Sequence, residues 1–352
     1  CKKAKSSNQI IISGKDAFTL YDTYGFPLDL TELILKENNL SVNITEFNEE
    51  MEQQKSRSRN ASAVEAGDWI SVGQDDVVEF IGYDFSVSDV KIIKYREVKT
   101  QKKNLFHLVF NKTPFYAESG GQVGDIGSIE SNNEVIKILD TQKENNLIIH
   151  ITEKLPSNPE SVFKATVSDE IRNATANNHS ATHLLDHALR EVLGKHVEQK
   201  GSLVTPEYLR FDFSHFQKVS EEELLEVQRI VNKLIRENIP CNEFRSIPIK
   251  EAQEMGAIAL FGEKYDENVR VIKFGDSIEF CGGIHVKSTG QIGLFHIISE
   301  SAISAGVRRI EAITAGKAEE LMEMNSSIVK QAKHILNNPS DISQAIQDLI
   351  EK

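Results

Sequence analysis

Four side chains that can bind a metal ion occur in two closely spaced pairs. His179 and His183 lie four residues apart, and Cys281 and His285 lie four residues apart further along the chain. Imidazole and thiolate ligands in such short-spaced pairs are typical of tetrahedral zinc sites. The sequence therefore predicts that these four residues bind one Zn²⁺ ion per chain.

The two pairs are expected to lie on different kinds of element. Around the first pair, residues 178–189 show a helical apolar period, and side chains at i and i+4 project from one face of a helix. The second pair encloses Gly282 and Gly283, which favour a tight turn or a close backbone approach. We therefore expect a helix and a loop to hold the same ion. The first pair lacks the glutamate of an HExxH motif, which disfavours a metalloprotease.

Composition and charge exclude several classes of protein. The 352 residues contain only three cysteines, too few for a disulfide framework, and the net charge of −13 does not indicate a general nucleic-acid-binding surface. No apolar run is long enough to span a membrane, and the N-terminus lacks the apolar stretch of a signal peptide. We therefore expect a cytoplasmic protein without a membrane partner. The chain has no initiator methionine and ends in a charged helical pattern, so we expect it to be a piece of a longer protein.

The periodicity of the first half predicts helices followed by strands. Residues 14–60 have a helical pattern with a break at 21–27. Short β-rich runs follow between residues 77 and 166, and their close spacing suggests a small β-barrel. The first half therefore predicts a helical N-terminal segment and a barrel.

The second half mixes helices and strands over residues 167–314, which predicts an α+β layer. An amphipathic helix is expected to begin at a capping box formed by Ser220 and Glu223. The tail from Gly316 is helical with a break at residues 337–339, which predicts a C-terminal helical hairpin. The whole chain is accordingly assigned to the α+β class.

Seven short motifs, the two metal-ligand pairs among them, follow one another along the chain. They are Ala17–Pro27, the glycine-rich run Phe115–Gly127, His179–Leu185, Gln199–Leu203, Leu209–His215, Ala259–Tyr265 and Cys281–His285. In order and spacing they resemble the alanyl-tRNA synthetase family over nearly the whole chain. One departure is Ile284, which stands where the family commonly has threonine, so any contribution of that hydroxyl to specificity would be lost here.

The resemblance implies a division of the chain into four parts. Residues 1–70 would be the helical end of the tRNA-recognition region, and residues 71–166 the β-barrel with its glycine-rich loop. Residues 167–314 would be the zinc-binding editing core, and residues 315–352 a helical linker. The ATP-dependent aminoacylation core of the family would precede this chain, and a C-terminal domain used for tRNA binding and oligomerisation would follow it.

The resemblance also implies an activity. The parent protein would attach alanine to tRNA(Ala) with ATP, whereas this part would hydrolyse mischarged Ser-tRNA(Ala) and Gly-tRNA(Ala). Its partner would be the acceptor end of tRNA(Ala), and the chain itself would be a monomer. A pocket shaped for alanine admits glycine and rejects serine by only roughly a hundredfold, whereas a second site that hydrogen-bonds the serine hydroxyl can discriminate by roughly ten-thousandfold.

The residues expected to serve that second site fall into two groups. Substrate recognition is assigned to Thr182, Gln199, Ser202, Arg210, Asp212, Gly282 and Gly283. Contacts with tRNA are assigned to Gly120, Gly121, Gln122, Arg308 and Arg309.

Each assignment has a structural alternative. Thr182 could instead bond back within its helix, and the glycine-rich run could serve only as turn chemistry. Arg308 and Arg309 could pair with Glu300 or Glu311 rather than with phosphate. His187 follows His183 by four residues, but the family pattern uses only the first two histidines.

The role of the metal is open at this point. If all four ligands bind at once, the tetrahedral shell is full, as in a structural site. If the shell opens or expands, zinc could orient the amino group of the substrate or activate water, and we favour orientation. A zinc-stapled tRNA-binding module without activity is therefore the rival interpretation. A freestanding trans-editing protein is disfavoured by the predicted helices before Val77 and after Gly316.

Overall fold

The structure is a computed structural model that describes residues 11–24, 28–38, 40–51, 65–72, 78–100, 103–145, 147–259 and 266–351. Parts of three predicted features lie outside these residues: the end of the first helical break at 25–27, the helical pattern at 52–60, and most of one motif at 260–265.

Helices and strands both occur in the described part of the chain, which confirms the α+β class. The helices are α1 (Gly14–Tyr24), α2 (Leu28–Glu37), α3 (44–51), α4 (Asp169–Leu193), α5 (Glu221–Arg236), α6 (Ile249–Glu254), α7 (Ala315–Ile335) and α8 (Ile342–Ile350), with a 3₁₀ turn at Thr289–Ile292. The strands of the first half are β1 (Ile11–Ile12), β2 (Ser41–Val42), β3 (Glu65–Ala66), β4 (Ile70–Ser71), β5 (Glu79–Phe80), β6 (Val87–Lys99), β7 (Asn104–Phe110), β8 (Lys112–Thr113), β9 (Gly127–Ser131), β10 (Glu134–Ile138), β11 (Asp140–Glu144), β12 (Leu147–Thr152) and β13 (Val162–Val167). The second half contains β14 (Gln199–Val204), β15 (Leu209–Ser214), β16 (Asn242–Pro248), β17 (Asn268–Phe274), β18 (Ser277–Phe280), β19 (Phe295–Ser304) and β20 (Val307–Thr314).

A nine-stranded sheet dominates the first half, in the order β10-β9-β13-β6-β7-β12-β11, with β3 and β4 added on β6. Alternating side chains of these strands fill one core, as the period of two of a strand requires. Leu108, Phe110 and Ile129 are fully buried there, and Phe163 and Ala165 pack with them.

The predicted small barrel is not confirmed. The described strands form an open path whose two end strands, β10 and β11, each pair with only one neighbour in it. These end strands are consecutive in the chain, with Leu139 between them, and the Leu139 N–H donates to Ile151 O on β12 at 2.8 Å. The chain thus passes directly from one end strand into the other, and no pairing between the two closes the sheet.

The long helix α4 is the central element of the second half. Its 25 residues pack against α5 and against a four-stranded sheet in the order β14-β15-β20-β19. The core between them includes Leu184, Leu185, Phe211 and Phe213, all fully buried. A helix buried on most of its faces can hold polar side chains rigidly, because its neighbours fix their rotamers.

Local signals in the second half agree with the sequence. The capping box is confirmed, because Ser220 Oγ accepts from Glu223 N at 3.2 Å and Ser220 N donates to Glu223 Oε2 at 2.8 Å. Two helices, α7 and α8, flank the predicted break, where Asn337 and Asn338 have positive φ values of 60° and 54°. Their packing as a hairpin stays a prediction. None of the described helices has the length and apolarity that a membrane span needs.

A buried arginine joins α4 to the first sheet. Arg172 donates from Nε to Asp125 Oδ2 at 3.1 Å, from Nη1 to Gly82 O at 3.2 Å and from Nη2 to Pro114 O at 2.5 Å. The loop of Gly121 is also held against β14, since Val204 N donates to Gly121 O at 2.7 Å. The glycine-rich loop and the histidine-bearing helix are therefore fixed relative to each other.

Candidate metal centre

The four side chains predicted to bind a metal converge at one point. Donor atoms of His179, His183, Cys281 and His285 all lie within 4.8 Å of one another. The first two come from consecutive turns of α4, and the other two come from the turn that follows β18. The predicted arrangement, in which a helix and a loop face each other, is therefore present.

The spacing of the donors fits a single tetrahedral ion. Cys281 Sγ lies 3.4 Å from His179 Nε2 and 3.1 Å from His285 Nε2. Donors bound to one tetrahedral zinc are about 3.3–3.6 Å apart, given bonds of about 2.0–2.3 Å. These three atoms are therefore near coordinating distance, and all four donors lie within 4.8 Å of one another.

The remaining ring nitrogens are held by neighbours of different kinds. His179 Nδ1 lies 2.7 Å from Gln122 Oε1, and His285 Nδ1 lies 3.1 Å from Ser180 Oγ. His183 Nε2 lies 3.5 Å from Glu279 Oε2, while its Nδ1 is buried and meets no hydrogen-bond partner among the described residues. A buried nitrogen without a partner is costly, and a metal ion would satisfy it. This donor set fits a metal such as Zn²⁺.

Burial sets the protonation states of the four candidate ligands. Burial, with a smaller contribution from the Arg270 charge, lowers the pKa of His179 to about 3, and burial lowers the pKa values of His183 and His285 well below their usual range. Burial raises the pKa of the Cys281 thiol to about 12. The imidazoles are thus neutral and ready to bind, whereas the thiol must lose its proton to solvent before its sulfur can bind a metal.

Arg270 clamps the cysteine turn from one side. Its Nη1 donates to Cys281 O at 2.8 Å and to Gly283 O at 2.7 Å, while its Nε donates to Glu243 Oε1 at 2.7 Å. The guanidinium lies 4.0 Å from the ring centroid of Tyr83, whose hydroxyl donates to Gly282 O at 2.6 Å. Three successive carbonyls of the turn are therefore held in place.

The two glycines of that turn are not equivalent. A Cβ on Gly283 would lie 2.0 Å from His179 Cε1, 2.4 Å from its Nδ1 and 2.8 Å from Gln122 Oε1. A Cβ on Gly282 would meet nothing within 4 Å. Any side chain at position 283 would therefore clash with the His179 ring, whereas a side chain at position 282 would not.

A cleft of about 390 Å³ opens beside three of the four donors, His179, His183 and Cys281. This is within the range of about 300–1,000 Å³ that is common for small-molecule sites. Residues singled out in the sequence make up much of its lining, namely Gly120, His179, Thr182, His183, Gln199, Ser202, Cys281, Gly282 and Gly283.

Thr182 makes the bond within its helix and also lies on the cleft. It lines the cleft, and its Oγ1 donates to Asn178 O at 2.9 Å, which is the bond within the helix that the sequence left open. A hydroxyl that donates one bond still has lone pairs that can accept another. Thr182 can therefore accept a hydrogen bond from a ligand in the cleft.

Four other predicted site residues are engaged elsewhere. Asp212 is buried and accepts from Arg309 Nε at 2.7 Å and from Arg309 Nη2 at 2.8 Å. Arg308 pairs with Glu300, one of the two partners considered from the sequence, and Arg210 Nε lies 3.9 Å from Asp212 Oδ2. These four residues are not among the described residues that line the cleft.

The glycine-rich loop turns one of its predicted tRNA contacts inward. Gly121 has a φ of +83°, and a Cβ there would lie 2.5 Å from Ser202 O. The next side chain, Gln122, is only 1% exposed, and its Oε1 contacts both His179 and the backbone of Ile284. Gly120 remains on the lining of the cleft.

Sequence reasoning missed several residues of the site. Tyr116, Asn268, Arg270 and Glu279 also line the cleft. Burial raises the pKa of Glu279 well above its usual range, because the side chain is desolvated beside the charge of Asp186. No local pattern distinguished these residues, because tertiary contacts rather than sequence spacing bring them to the centre. His187, the alternative ligand, lies outside the cluster of four and pairs with Glu191 at 3.8 Å.

Comparison with known proteins gives two matches to family profiles. The profile described as "tRNA synthetases class II (A)" matches residues 1–171. The profile described as "Threonyl and Alanyl tRNA synthetase second additional domain" matches residues 269–311, which include the cysteine turn.

Individual relatives match the chain over almost its whole length. The alanine–tRNA ligase of Bacteroides thetaiotaomicron is 59% identical over 348 residues, which is 99% of this chain. The chain belongs to the alanyl-tRNA synthetase family. The ligase of Cytophaga hutchinsonii is 54% identical over 100% of the chain, and that of Flavobacterium psychrophilum is 49% identical over 96% of it. The chain spans about 40% of the length of these alanyl-tRNA synthetase relatives.

Proposed function

We propose that this chain is the editing part of an alanine–tRNA ligase and hydrolyses Ser-tRNA(Ala) and Gly-tRNA(Ala). The observation that carries the proposal is the cleft itself, in which three of the four metal donors, His179, His183 and Cys281, share a wall with Thr182, Gln199 and Ser202. Its ligand would be the aminoacylated acceptor end of tRNA(Ala). The whole ligase would attach alanine to that tRNA using ATP.

The polar side chains of the cleft account for the proposed discrimination of serine from alanine. Thr182 Oγ1, which already donates to Asn178 O, can accept from the hydroxyl group of a bound seryl ester. The Gln199 amide and the Ser202 hydroxyl add donors and acceptors to the same cleft. Alanine would leave these groups unpaired, and an unpaired buried polar group costs about 1–3 kcal/mol.

In the proposed reaction water adds to the ester carbonyl carbon and the bond to the ribose oxygen breaks. The products are the free amino acid and an intact tRNA with its hydroxyl restored. His179, His183, Cys281 and His285 would hold one Zn²⁺, which supplies a fixed positive charge that orients the polar groups of the ester. Arg270 holds the cysteine turn in place, so this wall of the cleft would already be formed before the ester binds.

The same proposal assigns the domains of the chain, its cellular location and its oligomeric state. Residues 1–70 would end the tRNA-recognition region, 71–166 would form the sheet subdomain, 167–314 the editing core and 315–352 the linker. Two hydrophobic clusters, each drawn mostly from one of the two middle parts, support that division. We place the chain in the cytoplasm as a monomer, within a parent that oligomerises through other regions.

A second candidate function is a zinc-stapled tRNA-binding module without activity. One observation favours it: four protein donors within 4.8 Å of one another would fill a tetrahedral shell and leave no position for water. In this case the ion would only join α4 to the cysteine turn.

Release of serine from Ser-tRNA(Ala) beside Ala-tRNA(Ala) tests the editing proposal, with zinc measured on the same purified chain. Rapid loss of serine with alanine spared, at about one zinc per chain, supports editing. No hydrolysis by zinc-loaded protein would overturn it in favour of the stapled module. Cys281→Ala separates the two functions further: lost hydrolysis with the fold retained indicates a working site, and global unfolding indicates a staple.

A further inference from the structure

Gln122 contacts two parts of the candidate centre at once. Its Oε1 lies 2.7 Å from His179 Nδ1 and accepts from the backbone N–H of Ile284 at 2.9 Å. The side chain is 1% exposed, so water does not compete for these contacts. Gln122 comes from the glycine-rich loop, which the sequence assigned to tRNA contact.

The backbone contact fixes the orientation of the amide. A main-chain N–H can only donate, so the Gln122 atom that faces Ile284 N must be the oxygen and not the nitrogen. The same oxygen faces His179 Nδ1, which must therefore carry the proton. Because a neutral imidazole carries one proton, His179 Nε2 keeps its lone pair.

That lone pair points into the centre. His179 Nε2 lies 3.4 Å from Cys281 Sγ, at the position a metal donor requires. The histidine on the other side lacks an equivalent constraint. Ser180 Oγ already accepts from Val286 N at 3.1 Å, but a hydroxyl can also donate, so either tautomer of His285 fits beside it.

The hydrogen bond is also enclosed by packing. The backbone of Gly283 lies so close that a Cβ would be 2.4 Å from His179 Nδ1 and 2.8 Å from Gln122 Oε1. Gly121, next to Gln122, is held to β14 through its carbonyl, which accepts from Val204 N at 2.7 Å. The glutamine therefore has little freedom to release the ring.

We propose that Gln122 is a positioning residue of the metal centre. It holds His179 in the tautomer that presents Nε2 to the ion, and it anchors the cysteine turn through Ile284. This inference rests on the proposed metal centre and deepens it. The sheet subdomain would then contribute to metal binding, because Gln122 of the first half orients His179 of the second half.

The variant that tests the role is Gln122→Met, which keeps the length of the side chain and removes the acceptor. Residues that orient metal-bound histidines typically contribute tenfold to a hundredfold to metal affinity. We therefore expect Gln122→Met to raise the dissociation constant for Zn²⁺ by about tenfold to a hundredfold in a chelator competition assay. Gln122→Glu restores an acceptor for both donors and should bind zinc within about threefold of wild type.

Thr113→Val is the matched control in the same subdomain. Thr113 is fully buried, and its Oγ1 lies 2.7 Å from His150 Nε2 and accepts from Phe115 N at 3.1 Å, so the variant loses two buried hydrogen bonds without touching the centre. We expect it to lower stability and leave the zinc dissociation constant unchanged. A Co²⁺-loaded sample adds a spectroscopic readout, because only Gln122→Met should alter the visible bands of a tetrahedral thiolate site.

Equal zinc affinity in Gln122→Met and wild type would overturn the proposal, as would a Gln122→Glu variant as weak as Gln122→Met. If Gln122→Met does not fold, ring-nitrogen chemical shifts of His179 in wild type decide the question. A protonated Nδ1 with a bare Nε2 supports the proposal, and the opposite tautomer refutes it. Wild type that binds no zinc would refute the metal centre itself, and the tautomer of the metal-free protein would still test Gln122 separately.

Discussion

Gly283→Ala should displace either the His179 ring or the cysteine turn by a distance that follows from the structure. The added Cβ of Gly283→Ala would lie 2.0 Å from His179 Cε1. Unbonded carbons rest about 3.5–4.0 Å apart, so either the ring or the turn must move by about 1.5 Å. Arg270 holds the turn through Gly283 O at 2.7 Å, and Gln122 holds the ring at 2.7 Å.

A movement of this size exceeds what a metal bond tolerates. Zinc-ligand distances are reproduced within about 0.2 Å in working sites. His179 would therefore leave the coordination shell or pull the cysteine turn with it. We expect Gly283→Ala to weaken zinc binding by at least about a hundredfold, which corresponds to about 2.7 kcal/mol.

Chelator competition measures this loss, and Gly282→Ala is its control. The two glycines are adjacent in the same turn, but a Cβ on Gly282 meets nothing within 4 Å, and its φ lies outside the left-handed region. Gly282→Ala should bind zinc as wild type does. Similar affinities for the two variants would refute the reasoning, because the close approach of Gly283 to His179 would then have no energetic consequence.

Three further predictions concern specificity, pH and stability. Thr182→Val should slow serine release about tenfold and leave glycine release largely unchanged, since only serine offers a hydroxyl to the lost acceptor; equal effects on both esters would contradict this. Burial lowers the pKa of His150 to about 3, so its imidazole stays neutral in the folded protein, whereas in the unfolded chain it takes up a proton below pH 6.5. The contribution of His150 to stability is complete above pH 6.5 and decreases as the pH falls towards 3. His150→Gln should therefore reduce the slope of unfolding free energy against pH in this range by about 1.4 kcal/mol per pH unit. Urea titrations of wild type and variant at matched metal content measure this slope. Arg172→Met leaves Asp125 buried without its partner and should cost about 3–5 kcal/mol of unfolding free energy; a loss below about 1 kcal/mol would show that the pair is not essential.

The four candidate ligands could be selected from the sequence because the spacing within each pair is local. An i, i+4 spacing places both histidines on one face of a helix before any tertiary contact is known, whereas the meeting of the two pairs depends on the fold. The capping box at Ser220 was predicted for the same reason. The strand arrangement could not be predicted in this way. Local patterns identify strands, but they do not show which strands pair, and in the structure β10 and β11 do not pair with each other.

The supporting residues could not be found in that way. Gln122 is 57 residues from His179 and 162 from Ile284, and only the packing of the loop on β14 turns its side chain inward. Arg309 was expected at phosphate, but it lies on β20 beside β15, where Asp212 neutralises it. Sequence patterns give the type of chemistry, whereas the direction of a loop side chain depends on non-local contacts.

The split origin of the centre has a consequence during synthesis. His179 and Cys281 are 102 residues apart, and a ribosome adds about 5–20 residues per second, so roughly 5–20 seconds separate their emergence. During that interval α4 can form from local contacts, while its two histidines lack the thiolate and the third imidazole. A nascent chain that stops before the cysteine turn would carry two neutral imidazoles and only weak metal affinity. If the four residues bind a metal as proposed, metal loading would therefore mark the completion of this part of the polypeptide.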